Sequence, residues 1–460
     1  MISVAEAWDI IDRETPRGPV AERVLAEALG GVLAGAIVAP IDLPAFDNSA
    51  MDGYALRHAE TARAAPDAPV RFPLAGAQLA GPITCRTLPP GHAALIATGA
   101  RIPDGATAMI PLEAVTRETD HIVLTKPVAA GHCIRRQGEE IRRGATALAA
   151  GTALTPAALG FLAGLGITHA PAIAAPTIAV IPTGSELIVP GAALVASGSS
   201  VQAHSAGEGE APWALPMEGD KSEPCSDAQQ NRRFCGVQTT RAPVIDGHVY
   251  ESNTVALGAA LSEFGIAPRC FAPVPDDPDR LDAALTEAMH GADIVLVTGG
   301  CSVGSADYLR ERLRLLDVQP LFWRVRQKPG MPLYCGRRGD RLVFGLPGNP
   351  VSSLVCYYEY VRRAIRQWMG CAAPGLPSVA ARLQSAIAKG DGKTHFLRAR
   401  VSSQEGEIAA TPIGVQASHR MAPFAGANGL IVIPAEVTRI SAGARVVAHL
   451  LPGMAPEEMA

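Results

Sequence analysis

One short segment places a strand, a sharp loop and a helix in immediate succession. The apolar run 341–346 leads into Pro347-Gly348-Asn349-Pro350, and apolar residues then recur at helical spacing over 351–368. Asn suits the N-cap and Pro the first helical position. The unpaired N–H groups of that first turn, beside the hydroxyls of Ser352 and Ser353, would form an anion site. The alternative is an ordinary strand-to-helix turn.

A second loop has the same design. A buried-looking strand over 293–297 meets the segment Gly299-Gly300-Cys301-Ser302-Val303-Gly304, and a helix is predicted over 307–316. Glycines let the backbone approach an anion closely, and successive N–H groups can hold one. Asp307 would either cap the helix or hold a divalent cation facing a phosphate. Because ligands of open α/β sheets bind beyond the carboxyl ends of strands, two such loops predict a phosphate-bearing ligand between them. Neither loop matches the Walker pattern, which disfavours a generic NTPase.

Composition excludes several classes of protein. The net charge is -4, with 18% charged and 5% aromatic residues, so the sequence offers no basic or base-stacking surface for nucleic acid. Prolines interrupt the longest uncharged stretch, 144–185, and no signal sequence is recognisable, which predicts a cytoplasmic protein outside the membrane. The nine cysteines form no CxxC pair and the eleven histidines no HExxH, which argues against a disulfide framework or a zinc site.

The order of patterns along the chain predicts several domains. Helices are expected over 4–14, 20–34 and within 135–172, where Thr155-Pro156 begins one. Short β-type runs fill 42–127, alternating strand and helix signals begin at 177, and strand signals return from 374. We therefore predict a multidomain α/β and β fold: a discontinuous helical linker domain (1–41 and 136–174), an inserted β-rich domain (42–135), a central βαβ domain (175–371) and a C-terminal β-barrel-like domain (372–460).

One segment breaks the βαβ order. Residues 195–246 are rich in Gly, Ser, Pro, Gln and Glu and show no hydrophobic period. A structureless segment of this length inside a compact domain is unusual. The sequence therefore predicts a mobile insertion.

Several motifs resemble one family. They are Phe46-Asp47-Asn48-Ser49-Ala50-Met51-Asp52-Gly53-Tyr54-Ala55, Thr98-Gly99-Ala100, Arg135-Arg136-Gln137-Gly138-Glu139-Glu140, Pro182-Thr183-Gly184-Ser185-Glu186-Leu187, Tyr250-Glu251-Ser252-Asn253 and the two loops above. In this order they resemble the molybdopterin molybdenumtransferases of the MoeA type, which are related to the E domain of gephyrin. The resemblance covers nearly the whole chain except the insertion.

The resemblance implies a fold and a reaction. The fold would be an elongated chain of four domains, with 175–371 as the molybdopterin-binding domain, usually in a homodimer whose cleft lies between the βαβ domain of one subunit and the C-terminal domain of the other. The reaction would insert molybdenum from molybdate into adenylylated molybdopterin with release of AMP, using Mg²⁺. Contacts with the molybdopterin adenylyltransferase or with recipient molybdoenzymes are further expectations.

The resemblance also assigns roles to residues of this chain. Catalytic roles fall on Asp52, Glu140, Glu186, Asp276, Asp307 and Lys328, with Asp307 and Glu186 as metal ligands. Binding of the cofactor falls on Thr98, Gly299, Gly300, Ser302, Gly304, Pro347, Gly348, Asn349, Pro350, Ser352 and Ser418. Looser matches add His419, Arg420 and Arg398 as oxyanion contributors. Taken singly, most of the acidic residues have an ordinary alternative as turn formers or surface charges.

Three positions depart from the family pattern. Met331, in Lys328-Pro329-Gly330-Met331-Pro332, replaces a lysine that helps to hold the oxyanion, Ser185 stands where Asp is common, and Glu140 where Asp is more usual. Losing one charge-assisted contact to a dianion costs about 1.5–3 kcal/mol. An alternative is therefore a non-catalytic molybdopterin-binding accessory protein on the same fold, whereas a scaffold role has no support beyond the shared domain.

Overall fold

A computed structural model describes residues 1–190, 194–197, 200–203, 247–300, 306–404 and 406–452, and of 194–197, 200–203 and 306–308 it describes only the backbone. The chain divides into two compact units. The small unit is Val20–Ala172, and the large unit combines Met1–Pro19 with Ile173–Ala460.

The chain begins with helix α1 (Val4–Glu14), as predicted. Ser3 caps it: the Ser3 hydroxyl accepts the N–H of Glu6 at 3.2 Å, and the Glu6 carboxylate accepts the N–H of Ser3 at 2.7 Å. This reciprocal pair satisfies two of the free donors of the first turn. Val4, Ala7 and Ile11, spaced at helical intervals, form the buried face.

The small unit is mostly β-structure. Its strands are β1 (Val20–Val24), β2 (Val32–Leu33), β3 (Ile37–Val38), β4 (Asn48–Ser49), β5 (Gly53–Leu56), β6 (Val70–Gln78), β7 (Ala93–Ile96), β8 (Ala108–Pro111), β9 (Thr116–Arg117), β10 (His121–Leu124), β11 (Ile134–Arg135), β12 (Thr146–Leu148) and β13 (His169–Ile173). Short 3₁₀ turns cover Leu25–Glu27, His58–Thr61 and Leu112–Ala114. Its α-helix is α2 (Pro156–Gly164), capped by the Thr155 hydroxyl as the sequence predicted.

The helix predicted over 20–34 is wrong. That segment forms β1, a single 3₁₀ turn and β2, and both strands pair with β13 in a three-stranded sheet. Most of the predicted helix over 135–172 is also absent, because only α2 is α-helical there. Leu25, Leu33, Leu154, Leu162 and Ala172 share one apolar cluster across these segments. Burial against a sequence-distant strand thus overrode a local helical spacing.

The β-rich character predicted for 42–127 is confirmed. A six-stranded sheet has the order β8-β5-β7-β6-β10-β9. Its buried face carries Tyr54, Leu56, Phe72, Ile122 and Leu124. This sheet forms the core of the part of the small unit that carries Asp52 and Thr98.

The large unit alternates strands and helices and then becomes all β. Its strands are β14 (Ile178–Pro182), β15 (Leu187–Ile188), β16 (Leu194–Ser197), β17 (Ser200–Ala203), β18 (Val249–Tyr250), β19 (Arg269–Cys270), β20 (Ile294–Thr298), β21 (Gln319–Trp323), β22 (Gln327–Lys328), β23 (Tyr334–Arg338), β24 (Arg341–Leu346), β25 (Ser378–Leu383), β26 (Ile387–Ala388), β27 (Thr394–Gln404), β28 (Glu407–Pro412), β29 (Gly429–Ile433), β30 (Arg439–Ile440) and β31 (Arg445–Leu450). Its helices after α1 are α3 (Asn253–Leu261), α4 (Pro278–Gly291), α5 (Ala306–Leu315), α6 (Pro350–Cys356), α7 (Arg362–Trp368) and α8 (Ala422–Ala425). A 3₁₀ turn, Ser262–Phe264, follows α3, and a π-helical turn, Tyr357–Val361, joins α6 to α7.

The predicted βαβ domain is present. One sheet has the order β19-β14-β20-β24-β23-β21, with its first four strands parallel and the last two antiparallel. Helices α4 and α5 pack on it through Leu285 and Leu313, against Ile181, Val295 and Val297. In the register of the central pair, Thr298 lies opposite Leu346. Strands β20 and β24 therefore end at the same edge of the sheet, where their loops begin.

The C-terminal segment closes into a barrel, as predicted. Strand β27 pairs with β28, β28 with β25, β25 with β31, β31 with β29, and β29 again with β27. Strand β22 adds to β27 from outside this ring. Ala399, Val401, Ile431 and Ala448 fill the barrel interior.

The insertion begins with ordered backbone, contrary to the prediction. Strands β16 and β17 pair antiparallel, with Leu194 opposite Ala203. Residues 204–246, which hold most of the predicted insertion, lie outside the described residues. Within the described ranges, no helix has both the length and the apolar character to cross a membrane.

Candidate functional site

The two glycine loops at the ends of β20 and β24 are in direct contact. The N–H of Gly299 donates to the carbonyl of Leu346 at 3.1 Å, and a Cβ atom on Gly348 would lie 3.4 Å from the Cα of Gly299. Both Gly299 and Gly300 have positive φ, +90° and +64°. This conformation is accessible to glycine without strain and turns backbone N–H groups toward one side. The sequence prediction that the loops adjoin is confirmed.

Three buried polar residues adjoin this contact: Thr298 directly precedes Gly299, Ser353 lies in the first turn of α6, and Asn253 bonds to Gly348. The Oδ1 of Asn253 and the hydroxyls of Thr298 and Ser353 have no hydrogen-bond partner among the described residues, although all three residues are at least nine-tenths buried. The amide of Asn253 donates through Nδ2 to the carbonyl of Gly348 at 2.8 Å, which fixes the orientation of that amide. Leaving such groups unpaired costs free energy, and these three belong to residues that adjoin the two loops.

Asn349 occupies the N-cap of α6 and Pro350 its first position, as predicted. The Asn349 side chain makes no capping bond, and its carbonyl accepts the N–H of Ser353 at 2.9 Å. Gly348 and Asn349 are exposed, whereas Pro347, Ser352 and Ser353 are buried. The helical run continues through the π-turn to Trp368, so the predicted helix over 351–368 is confirmed.

The loop after β14 brings Glu186 and Asp276 to neighbouring positions. The hydroxyl of Ser185 accepts the backbone N–H of Asp276 at 2.9 Å, and the N–H of Gly184 donates to Val274 at 3.0 Å. The N–H of Thr183 donates to the carbonyl of Thr298 at 2.8 Å, which joins this loop to β20. Both carboxylates are exposed at the same edge of the sheet. Ser185, which replaces the usual Asp, thus connects two loops.

The Lys328–Pro332 loop is supported from beneath by Gln327. This fully buried amide donates to the carbonyls of Pro329, at 3.0 Å, and Gly330, at 3.2 Å, and its oxygen accepts the hydroxyl of Tyr360. A Cβ atom on Gly330 would lie 2.5 Å from the sulfur of Cys356 and 3.4 Å from the carbonyl oxygen of Ser352. The loop therefore rests on α6, next to the Gly348 loop, and it holds the exposed Lys328 at this end of the unit.

In the small unit, Thr98 donates two hydrogen bonds to the carboxylate of Asp52. One carboxylate oxygen of Asp52 accepts both the N–H of Thr98, at 2.7 Å, and its hydroxyl, at 2.9 Å. The backbone bond first, and then the hydroxyl bond, hold the pKa of Asp52 below its usual range. Asp52 is therefore ionised and presents its second oxygen to solvent.

The motif around Glu140 adjoins the motif that carries Asp52. Asp47 accepts the Arg136 guanidinium at 2.7 Å and the N–H of Gln137 at 2.8 Å, and Asp42 accepts the side chain of Gln137 and the N–H of Arg143. The bond from Arg143, followed by that from Gln137, lowers the pKa of Asp42. Glu140 itself is exposed at the end of this held segment.

Arg398, expected as an oxyanion contributor, is buried and bonded to backbone carbonyls of its own barrel. Its side chain is 1% exposed, and its guanidinium donates to the carbonyls of Val415, Ala417 and Arg420. With its donors committed, Arg398 shapes the turn that carries Ser418, which is half-buried, and His419 and Arg420, which are exposed.

Of the two predicted metal ligands, the structure describes the side chain of Glu186 but only the backbone of Asp307. Helix α5 begins at Ala306, so Asp307 belongs to its first turn rather than to the cap. The side chain of Asp307 and the loop residues Ser302 and Gly304 lie outside the described residues. Among the groups that are described, no three His, Cys, Asp or Glu side chains cluster in a way that would hold a metal.

Three residues of this site were not predicted. The side chains of Asn253 and Gln327 donate to loop carbonyls, and the Thr298 carbonyl accepts the N–H of Thr183. Sequence patterns do not orient these groups. Asn253 could have been found from the sequence, because it is the last residue of the family-like motif Tyr250-Glu251-Ser252-Asn253. Thr298 and Gln327 have no comparable signal, since each lies within or beside an ordinary strand.

Three segments of the chain match known family models. Residues 2–166 match the family model of the MoeA N-terminal region (domain I and II), 236–367 that of a probable molybdopterin binding domain, and 380–451 that of the MoeA C-terminal region (domain IV).

Similar proteins cover nearly the full length. Molybdopterin molybdenumtransferase 2 of Mycobacterium tuberculosis is 34% identical, over 92% of this chain and 93% of its own, and the molybdopterin molybdenumtransferase of Synechococcus elongatus is 31% identical, over 97% and 98%. The crystal structure of the molybdopterin biosynthesis moeA protein of Pyrococcus horikoshii OT3 superposes with a TM-score of 0.72 at 27% identity, over 98% of this chain and 100% of that one. The chain belongs to the molybdopterin molybdenumtransferase (MoeA) family, whose members are transferases of molybdenum cofactor biosynthesis.

Proposed function

We propose that this chain is a molybdenum insertase that transfers molybdenum from molybdate into adenylylated molybdopterin and releases AMP. One observation carries the proposal most directly: the Gly299 and Gly348 loops are in contact, and each leads from a parallel strand to a helix start at the same edge of the sheet. Backbone N–H groups and hydroxyls of this kind suit the phosphates of such a substrate. The names of the relatives support the same substrate class.

We propose that acidic residues of the large unit bind the Mg²⁺ that this reaction uses. Mg²⁺ prefers carboxylate oxygens and phosphate, and Glu186 is exposed at the sheet edge that carries the two loops. We assign Glu186 and Asp307 as its ligands, and Asp276 as a neighbouring carboxylate. When bound there, the ion would neutralise charge on the phosphates. We also assign substrate-handling roles to three residues of the small unit, Asp52, Thr98 and Glu140.

Lys328 is assigned to the molybdate. It is exposed, and no described residue forms an ion pair with it, so its charge is available to an oxyanion. A lysine ammonium is a compact charge with three donors, which suits a tetrahedral dianion. Ser418 is a second contributor, on the turn that Arg398 holds.

The deciding experiment is reconstitution. Purified protein given adenylylated molybdopterin, Mg²⁺ and molybdate is expected to release AMP and to yield cofactor that activates an apo-molybdoenzyme. A conventional insertase assayed in parallel is the positive control. If the control releases AMP and this chain does not, the proposed reaction is wrong.

A second candidate is an accessory protein that binds molybdopterin without inserting molybdenum. Met331 favours it, because the loop beside Lys328 lacks its second lysine, and the hydroxyl of Ser185 is already bonded to Asp276. Such a protein would bind adenylylated molybdopterin in an equilibrium assay and leave it intact when molybdate is added.

We also propose that the enzyme acts in the cytoplasm as a homodimer, in which the C-terminal barrel of one subunit completes the cleft of the other. The adenylyltransferase and recipient molybdoenzymes are its proposed partners. Light scattering coupled to size exclusion tests the dimer, and a monomer that retains full activity would contradict it.

A further inference from the structure

Lys328 lies directly beside a buried histidine of the barrel. In the parallel pairing of β22 with β27, Lys328 is opposite His395 and Gln327 is opposite Thr394. The N–H of Thr394 donates to the carbonyl of Arg326 at 3.0 Å, which closes this short ladder. Residues opposite each other in a ladder project from the same face of the sheet. Lys328 and His395 therefore project from the same face of this ladder, and the charge of Lys328 acts on both His395 and Asp391.

His395 is held by a carboxylate. Its Nε2 lies 2.9 and 2.8 Å from the two oxygens of Asp391, and the residue is only 8% exposed. One oxygen of Asp391 also accepts the N–H of Lys393, at 3.3 Å. Since an ionised carboxylate only accepts, Nε2 carries the proton and Nδ1 is free to take up a second one.

Three charged groups act on this imidazole. Asp391 and Lys389 come from the preceding loop and Lys328 from β22, while β29 presents the apolar Ile433 opposite His395. Burial lowers the pKa of His395 most, Lys389 and Lys328 lower it further, and Asp391 opposes them. Burial is the largest influence on the pKa of Asp391 and raises it, but the bond from His395, the charges of His395 and Lys328 and the bond from Lys393 together hold that pKa below its usual range. At neutral pH the pair is a neutral imidazole bonded to an ionised carboxylate.

We infer that Asp391 and His395 are positioning residues for the oxyanion site at Lys328, and that an oxyanion bound there is accompanied by uptake of a proton on His395. The inference rests on the assignment of Lys328 to molybdate in the proposed function. A dianion beside Lys328 offsets the ammonium that disfavours imidazolium, and it adds negative charge of its own. By linkage, the oxyanion binds more tightly as the pH falls through the pKa of His395.

The experiment follows His395 by NMR in the full-length protein labelled at histidine, with the resonance assigned from His395→Gln. Addition of sodium molybdate, against sodium chloride of matched ionic strength, is expected to raise the pKa of His395 by roughly 1. Calorimetry in two buffers of different ionisation enthalpy is expected to show proton uptake in wild type and none in His395→Gln. His290→Gln, on α4, is the matched histidine control and should retain the uptake.

Lysine variants identify the source of the coupling. Lys328→Met is expected to raise the pKa of His395 in the free protein and to abolish its response to molybdate. Lys393→Met makes the same charge change in the loop next to His395 and should leave the response to molybdate intact. Absence of molybdate binding, or binding that leaves the pKa of His395 unchanged, overturns the inference. A molybdate response without AMP release would instead contradict the proposed reaction and leave this oxyanion site standing.

Discussion

At the scale of single residues, the loop beside Lys328 is shaped by one glycine. Gly330 has φ +86° and lies against Cys356, Gln327 and Ser352, so a side chain meets both a backbone and a steric penalty. Gln327 then fixes the loop carbonyls from beneath. The position of Lys328 thus depends on neighbours that never reach the substrate.

Gly330→Ala is expected to lower the free energy of unfolding by about 2–4 kcal/mol, because it combines positive φ with a contact to the sulfur of Cys356. Gly339→Ala is the matched control: its φ is +59° with no atom within 4 Å, so its loss should be only about 1 kcal/mol. Denaturant unfolding of both variants measures the difference. If both variants lose the same free energy of unfolding, the loop can move away from α6 without an energetic penalty.

Met331→Lys restores a second ammonium next to Lys328. We expect molybdate binding to tighten roughly ten- to a hundredfold and insertion to become faster, as one charge-assisted contact would provide. Met331→Gln is the uncharged control and should change neither. If Met331→Lys changes neither quantity, molybdate does not bind at this loop.

At the scale of secondary-structure elements, helix starts organise the site. Helix α3 places Asn253 against the carbonyl of Gly348, and the carboxylate of Glu251 accepts the N–H of Thr254 at 2.8 Å inside the same buried turn. Helices α5 and α6 follow the two glycine loops. One edge of one sheet therefore collects three helix starts around the proposed phosphates.

Asn253→Asp should make AMP affinity depend on pH. A protonated Asp resembles Asn, because its O–H can donate to the carbonyl of Gly348, whereas an ionised Asp repels that oxygen. Burial beside the Gly348 carbonyl should raise the pKa of the introduced carboxyl, so we expect weak AMP binding near about pH 8 and partial recovery near about pH 5. Asn253→Ala should bind weakly at both pH values. Calorimetric titrations measure the affinities, and Asn253→Asp following the wild-type curve would disprove the role of this contact.

Asp307→Asn tests the metal assignment at the start of α5. Asn and Asp serve similarly near a helix N-terminus, so stability should change little. Because the variant loses the negative charge of a ligand, its affinity for Mg²⁺ should fall and AMP release should slow strongly, while the fold remains intact. A Mg²⁺ titration of AMP release compares wild type and variant, with Asp317→Asn, in the turn after α5, as a control. Overlapping curves would remove the metal from this loop.

At the scale of the whole molecule, the motifs fall into two groups. Within the small unit, Asp52, Thr98 and the segment that ends at Glu140 converge through short hydrogen bonds. Within the large unit, the loops after β14, β20 and β24 converge with the Lys328 loop. Motifs that are scattered over about 300 residues thus become two compact sets of polar groups.

Residues 204–246 should be dispensable for folding. Their sequence lacks the apolar content needed to build a core, and replacing a long loop by a shorter one changes closure entropy little. A chain with a short Gly/Ser bridge between Ala203 and Gly247 is expected to melt within a few degrees of wild type. Thermal denaturation by circular dichroism measures this, and loss of a cooperative transition would contradict it.

The motifs and their order were enough to recognise the family, to order the parts of the chain and to predict two strand–glycine–helix segments that share one ligand. Strand–glycine–helix signals are local, and parallel strands bring their carboxyl ends to one edge of a sheet, so the pattern predicts both loops at that edge. The direct pairing of β20 with β24 is a finding of the structure. The tertiary structure alone decided that 20–34 forms strands, because β13, more than a hundred residues away, supplies the partner. It also decided that Arg398 is buried among carbonyls and that Lys328 lies beside His395. These contacts join residues that are distant in sequence, and no local period encodes which side chains will meet.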